Sequence, residues 1–125
     1  MKLTKNFKRQ EFDCRDGTPV PDKLLPNLQK LADNLQIIRD HLGKPIHINS
    51  GYRSPSHNKK VGGAPRSQHL KATAADITVR DMTPSQVYKE IEKLIKAGKV
   101  HNGGLGLYKG FVHYDVRPSP ARWKG

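Results

Sequence analysis

Cys14 is the chain's only cysteine, so no intrachain disulfide can staple the fold and an apolar core has to hold it. Cys14 itself reads as a partly buried small residue rather than a reactive thiol. No apolar run approaches the ~20 residues that cross a bilayer, which excludes a helical membrane span. The first residues, Met1-Lys-Leu-Thr-Lys-Asn-Phe-Lys8, are basic and lack the apolar core of a secretory signal. The expectation is a chain made and folded in the cytoplasm without a signal peptide. Another agent would have to release it if its target lies outside. Acidic residues are scarce, 11 against 23 Lys and Arg, giving a formal net charge of +12. That imbalance attracts polyanions and is silent on fold. Nucleic acid, anionic cell-wall polymer and a membrane surface all qualify. No recognised nucleic-acid motif accompanies the lysines, so no specific nucleic acid is expected as partner.

What is present suits one domain: 125 residues with periodic apolar runs. Residues 1–20 are charged and read as a loop-rich N-terminal arm anchored by Phe7 and Phe12. Over 22–42, Leu24, Leu28, Leu31, Leu35, Ile38 and Leu42 step by four and three, which predicts an amphipathic helix. Pro26 fits its first turn, and Gly43 with Pro45 ends it. Ile46–Asn49 reads as a short strand. Gly51–Arg66 reads as a long loop, a kind of segment that is often functional in compact domains. Ala74–Val79 reads as a buried strand. Thr83-Pro84-Ser85-Gln86 is a capping box that opens a second helix running to about Ala97. Gly103-Gly104-Leu-Gly106 reads as tight turns, since no lysine-serine pair makes it a phosphate loop. Strands follow at Leu105–Tyr108 and Phe111–Val116, joined by Lys109-Gly110. The expected class is α+β, helices packed on a small antiparallel sheet, and a monomer is expected.

Three residues stand out as chemistry: His69, Asp76 and His113. Two neutral imidazoles and one carboxylate can hold a catalytic zinc ion and leave a fourth position open for water. The seven-residue step from His69 to Asp76 suits a loop crossing into a strand, and it excludes a helix-borne His-Glu-x-x-His protease. Strand alternation puts Phe111, His113 and Asp115 on one face. Spacing alone leaves chance co-occurrence open.

Several separated segments, taken in order, carry a resemblance. They are Gly51-Tyr52-Arg53-Ser54-Pro55, His57-Asn58, Val61-Gly62-Gly63, Ser67-Gln68-His69, Ala74-Ala75-Asp76-Ile77, and Gly104-Leu-Gly106-x-Tyr108 with Phe111-Val112-His113-x-Asp115-x-Arg117. From about residue 7 to residue 123 the chain resembles the zinc D-alanyl-D-alanine carboxypeptidase / L-alanyl-D-glutamate endopeptidase family of peptidoglycan hydrolases. That family sits in the lysostaphin–D-Ala-D-Ala–hedgehog metallopeptidase group and includes many phage endolysins.

The resemblance implies a hedgehog/D-Ala-D-Ala peptidase-like fold, with residues 1–125 forming a single zinc peptidase catalytic domain. It implies Zn2+ held by His69, Asp76 and His113, and Arg53 facing the substrate to stabilise developing charge. Ser67 would orient substrate or ligand. His57 would contact substrate or make a loop hydrogen bond. The implied substrate is a peptidoglycan stem peptide, with anionic wall polymers as a further partner and the cell wall or periplasm as the place of action after release.

The chain departs from the family in two places. Ala72 stands where many relatives have glycine. Upstream of His113, where some relatives carry an acidic residue or histidine, stand Lys109, Gly110, Phe111 and Val112. Asp115 then becomes the candidate general base, or else a group orienting His113. The alternative to an enzyme is a catalytically inactive, zinc-stabilised wall-binding module.

Overall fold

The computed structural model describes residues 1–125. Three α-helices and a five-stranded sheet follow in the order α1 (Leu25–Leu42), β1 (Ile46–Ser50), α2 (Pro55–Lys60), β2 (Ala74–Val79), α3 (Pro84–Lys96), β3 (Gly104–Leu107), β4 (Val112–Asp115) and β5 (Ala121–Lys124). The class is α+β. No helix is long and apolar enough to cross a membrane.

Local chemistry sets the element ends. Pro26 lies in the first turn of α1, and Gly43 closes it in the left-handed region at φ 64°. At α3 the Thr83 hydroxyl accepts from Gln86 N at 3.1 Å, and the Gln86 side chain accepts from Thr83 N at 2.9 Å. The expected long loop contains a helix. Ser54 caps α2 by accepting from His57 N at 3.2 Å, with Pro55 pre-set at the first helical position.

The sheet has the order β1-β2-β4-β3-β5. It is mixed, a correction to the antiparallel expectation: β5 lies parallel to β3, while the other neighbours are antiparallel. The tail also forms a strand, in which Ala121 N and Gly125 N bond the carbonyls of Gly103 and Leu107. The run Gly103-Gly104-Leu-Gly106 is also not a set of tight turns, because Gly104 and Gly106 lie within β3. A Cβ at Gly106 would come within 2.4 Å of the Trp123 indole, and one at Gly104 within 2.3 Å of the Asp115 carboxylate.

One face of the sheet is apolar. Ala75, Ile77, Leu105, Val112 and Tyr114 join Leu28, Leu31, Leu35 and Ile38 of α1 and Val87, Ile91 and Leu94 of α3 in a single core. Each large side chain buried there contributes about 1.5–3 kcal/mol before entropy is counted. The N-terminal arm belongs to the same core: Phe7, Phe12, Cys14 and Val20 are all buried. Phe12 O accepts from Tyr52 N at 2.8 Å. Alternation then turns the polar residues of β2 and β4 to the opposite face, where the candidate site lies.

Candidate metal centre

The site is a cross-strand row. Asp76 on β2 pairs with His113 on β4, His113 with Gly106 on β3, and Gly106 with Trp123 on β5. Directly paired residues project to the same face, so the row sets a carboxylate, an imidazole, a gap and an indole side by side. With no side chain at Gly106, the Trp123 ring reaches across to 5.0 Å from the His113 ring, centroid to centroid.

His69 arrives from a different element. The 3₁₀ turn Gln68–Lys71 is capped by the Ser67 hydroxyl, which accepts from His69 N at 3.2 Å. Ala72 then turns the chain into β2 at φ 58°, ψ 32°. A left-handed alanine costs on the order of 1 kcal/mol relative to glycine. This reversal lets His69 and Asp76 face each other seven residues apart.

The donor atoms of His69, Asp76 and His113 all lie within 4.8 Å of one another, and all three residues are buried. His69 Nδ1 donates to the Gly51 carbonyl at 2.7 Å, and its Nε2 faces Asp76 Oδ1 at 3.3 Å. His113 is held the other way round. Its Nε2 donates to Asp115 Oδ2 at 2.6 Å, and its Nδ1 faces Asp76 Oδ1 at 3.1 Å. Each ring thus offers one nitrogen inward, while the other is tied to a fixed acceptor behind it. That is the arrangement a metal-binding histidine needs. Two imidazoles, one carboxylate and an open side suit a borderline ion such as zinc.

Charge is arranged to match. Burial works against ionisation of Asp76, but hydrogen bonds from His113 and His69 outweigh it and hold the carboxyl well below its usual range. Burial also opposes a charged His113, yet its hydrogen bonds to Asp115 and Asp76 raise its pKa above the ordinary value. These are signs of a cation-seeking pocket.

The donors line a cleft of about 430 Å³, together with Arg53, Arg66, Ser67, Tyr108, Phe111, Arg117 and Trp123 among others. Arg53 Nη2 lies 3.7 Å from Asp76 Oδ2, at the edge of the donor set. Tyr108 stacks on Phe111 at 4.5 Å, and its oxygen accepts from Trp123 Nε1 at 2.8 Å, so its own proton is free for the cleft.

Asp115, expected as the general base or as a group orienting His113, is not among the residues lining the cleft. It is 0% exposed and lies behind His113. Oδ1 accepts from Gly104 N at 2.8 Å, and Oδ2 accepts from Arg117 Nη2 at 2.7 Å. Both oxygens of the Asp115 carboxylate are thus held by fixed donors from Gly104, His113 and Arg117. Its geometry is that of the group orienting His113. His57 is likewise outside the cleft lining and sits near Cys14 and Asp16. His101 Nε2 reaches the Arg117 carbonyl at 2.6 Å, and the residue is not part of the cleft lining.

The sequence allows Tyr108 either a place in a cleft lining or a packing role, and assigns Phe111 and Trp123 no part in a cleft wall. Tyr108, Phe111 and Trp123 converge only because β5 returns beside β3. The signal was Gly106, a glycine inside a strand, which marks close approach by another group.

With this geometry in view, comparison with known proteins identifies relatives. The sequence profile of the Peptidase M15 family matches residues 4–115. The zinc D-Ala-D-Ala carboxypeptidase of Streptomyces albus G is 48% identical over 44 residues, which is 34% of this chain and 17% of that protein. The match therefore spans well under two thirds of the relative's length.

Proposed function

The chain belongs to the Peptidase M15 family, and on that premise we propose that it is a zinc-dependent peptidase hydrolysing peptidoglycan stem peptides. The observation that carries the proposal is the convergence of His69, Asp76 and His113 within 4.8 Å on the floor of an open, arginine-rimmed cleft. The name of the Streptomyces relative, a zinc D-Ala-D-Ala carboxypeptidase, supports both the ion and the substrate class. When bound, zinc supplies Lewis acidity toward a peptide carbonyl and acidifies water.

The chain's own residues divide the remaining work. His69 Nε2, an Asp76 carboxylate oxygen and His113 Nδ1 hold the ion. Asp115 fixes the ring plane and tautomer of His113. Arg53, a permanent cation at the edge of the donor set, meets the oxyanion that develops on the scissile carbonyl or the carboxylate of the stem. Arg66 adds a second cation at the rim. The Tyr108 hydroxyl, relieved of the need to donate to Trp123, offers a proton to the same oxyanion. The stacked Tyr108 and Phe111 rings and Trp123 exclude water from one wall. Ser67 positions His69 through its backbone N–H. A lytic role of the phage-endolysin type is part of the same reading. The net charge of +12 supports it by favouring anionic wall polymers.

A second reading is favoured by one observation. Apart from the three donors, the cleft lining holds no carboxylate and no imidazole, so no ordinary general base is left over. That suits a zinc-stabilised wall-binding module without turnover. Incubating purified peptidoglycan with zinc-loaded wild type and with His113→Ala, then identifying new termini, separates the two. Released D-alanine marks the carboxypeptidase, and a new amino-terminal D-glutamyl residue marks the endopeptidase. Wall binding without cleavage by either protein favours the binding module.

A further inference from the structure

A second group of donors lies outside the cleft. Cys14 Sγ, an Asp16 carboxylate oxygen and a His57 ring nitrogen lie within 4.8 Å of one another. We propose that Cys14, Asp16 and His57 form a second metal site that takes one zinc-class divalent ion and ties the N-terminal arm to α2.

The donor chemistry selects the ion. One thiolate, one imidazole and one carboxylate are a mixed soft and borderline set, which suits zinc and not calcium or magnesium. The residues come from two distant segments that only the fold brings together.

Ser54 organises all three. Its hydroxyl donates to Asp16 Oδ2 at 2.7 Å, its N–H donates to Cys14 Sγ at 3.4 Å, and its Oγ accepts from His57 N at 3.2 Å. Asp16 Oδ1 also accepts from Thr18 N at 2.9 Å. The Ser54 and Thr18 bonds keep the Asp16 carboxyl ionised well below its usual range. The His57 ring makes no hydrogen bond within the protein, so a lone pair is available.

Burial is graded in a useful way. Cys14 is 3% exposed, whereas Asp16 is exposed and His57 is half-buried, which gives the ion an anchored thiolate and an entry path. Tetrahedral bonds of ~2.0–2.3 Å place donor pairs ~3.3–3.8 Å apart, a closure that rotation of the His57 ring can supply. Ser56 Oγ, 3.4 Å from Ser54 Oγ, or water completes the shell.

Cobalt(II) added to metal-free full-length protein tests this independently of catalysis, because the His69–Asp76–His113 centre contains no sulfur. A near-ultraviolet sulfur-to-cobalt charge-transfer band is expected in the wild type and in a His69→Ala/His113→Ala double variant. Asp16→Asn and His57→Ala should each weaken cobalt binding at this band by about tenfold or more. Cys14→Ser should abolish the band. Since Cys14 is buried and its replacement can disturb folding, the Asp16 and His57 variants carry the test. Absence of the band in the wild type, or a band unchanged in Asp16→Asn and His57→Ala, would overturn the site and leave a hydrogen-bonded clamp around Ser54.

Discussion

His113 donates from Nε2 to Asp115 Oδ2 across 2.6 Å, and this bond turns its other nitrogen toward Asp76. Asp115 is in turn gripped by Arg117 and the Gly104 N–H. Replacing it by asparagine keeps the shape and an oxygen acceptor but removes the charge that fixes the ring. Zinc affinity is expected to fall by about 10–100-fold, with most activity recovered at saturating zinc. A zinc titration followed by turnover at saturation checks this. Unchanged affinity with turnover down by more than about a thousandfold would return Asp115 to proton transfer.

Much of this site was legible before folding because its residues are chemically conspicuous. His69, Asp76 and His113 are metal-donor residue types that the fold brings within 4.8 Å of one another, the strand alternation that sets Asp76 against His113 is a period-two pattern, and α1 and α3 announced themselves through caps and apolar stripes. What stayed hidden depends on long-range return of the chain. Only the parallel pairing of β5 with β3 brings Trp123 over Gly106. Only packing reveals that Asp115 is sealed behind His113, since a strand position fixes the face of a residue but not its depth. The short helix at Pro55 was missed because six residues show no periodicity, although Ser54-Pro55 is a helix-start signal.

The metal-free protein should be most stable in mildly acidic solution. Asp76 and Asp115 have folded pKa values below their unfolded ones, in each case because hydrogen-bond donors outweigh burial. Their stabilisation is present above the unfolded value of ~4 and is lost as pH falls below it. His113 has a raised folded pKa. Its contribution is complete below ~6.5 and is lost as pH rises through the folded value. Urea midpoints in the presence of a chelator should therefore peak between about pH 4 and 6.5. Zinc should reverse the upper limb, since the ion and the proton compete for His113 Nδ1 and affinity climbs as that proton leaves. A midpoint that rises steadily from pH 5 to 8 without metal would contradict the His113 assignment.

Arg53 is separable from the metal. It lies 3.7 Å from Asp76, too far for a strong bond, and its weak contact to Asn58 Oδ1 spans 3.4 Å. Arg53→Gln should leave zinc stoichiometry intact and change stability by less than about 1 kcal/mol. If the guanidinium meets charge that grows in the transition state, kcat should drop by about 10²–10³. If it instead anchors a stem carboxylate, the loss should fall mainly on KM. Steady-state kinetics on a defined stem peptide distinguishes these outcomes, and full activity in the variant would remove Arg53 from the mechanism.

Gly106 links the sheet to the aromatic wall. A methyl group there would meet Trp123 Nε1 at 2.4 Å, and the indole cannot retreat without losing its bond to the Tyr108 hydroxyl and its place against His113. Gly106→Ala should cost about 1–3 kcal/mol through overpacking, although alanine in a strand interior would otherwise be neutral or better. Trp123 is the only tryptophan, so its displacement reads out directly as a shift of the emission toward that of a solvated indole. Because Trp123 supplies none of the three donor atoms, zinc should still bind while substrate affinity falls. An unshifted emission spectrum with normal stability would mean that Trp123 does not rest on Gly106 in solution and that the cleft wall is built another way.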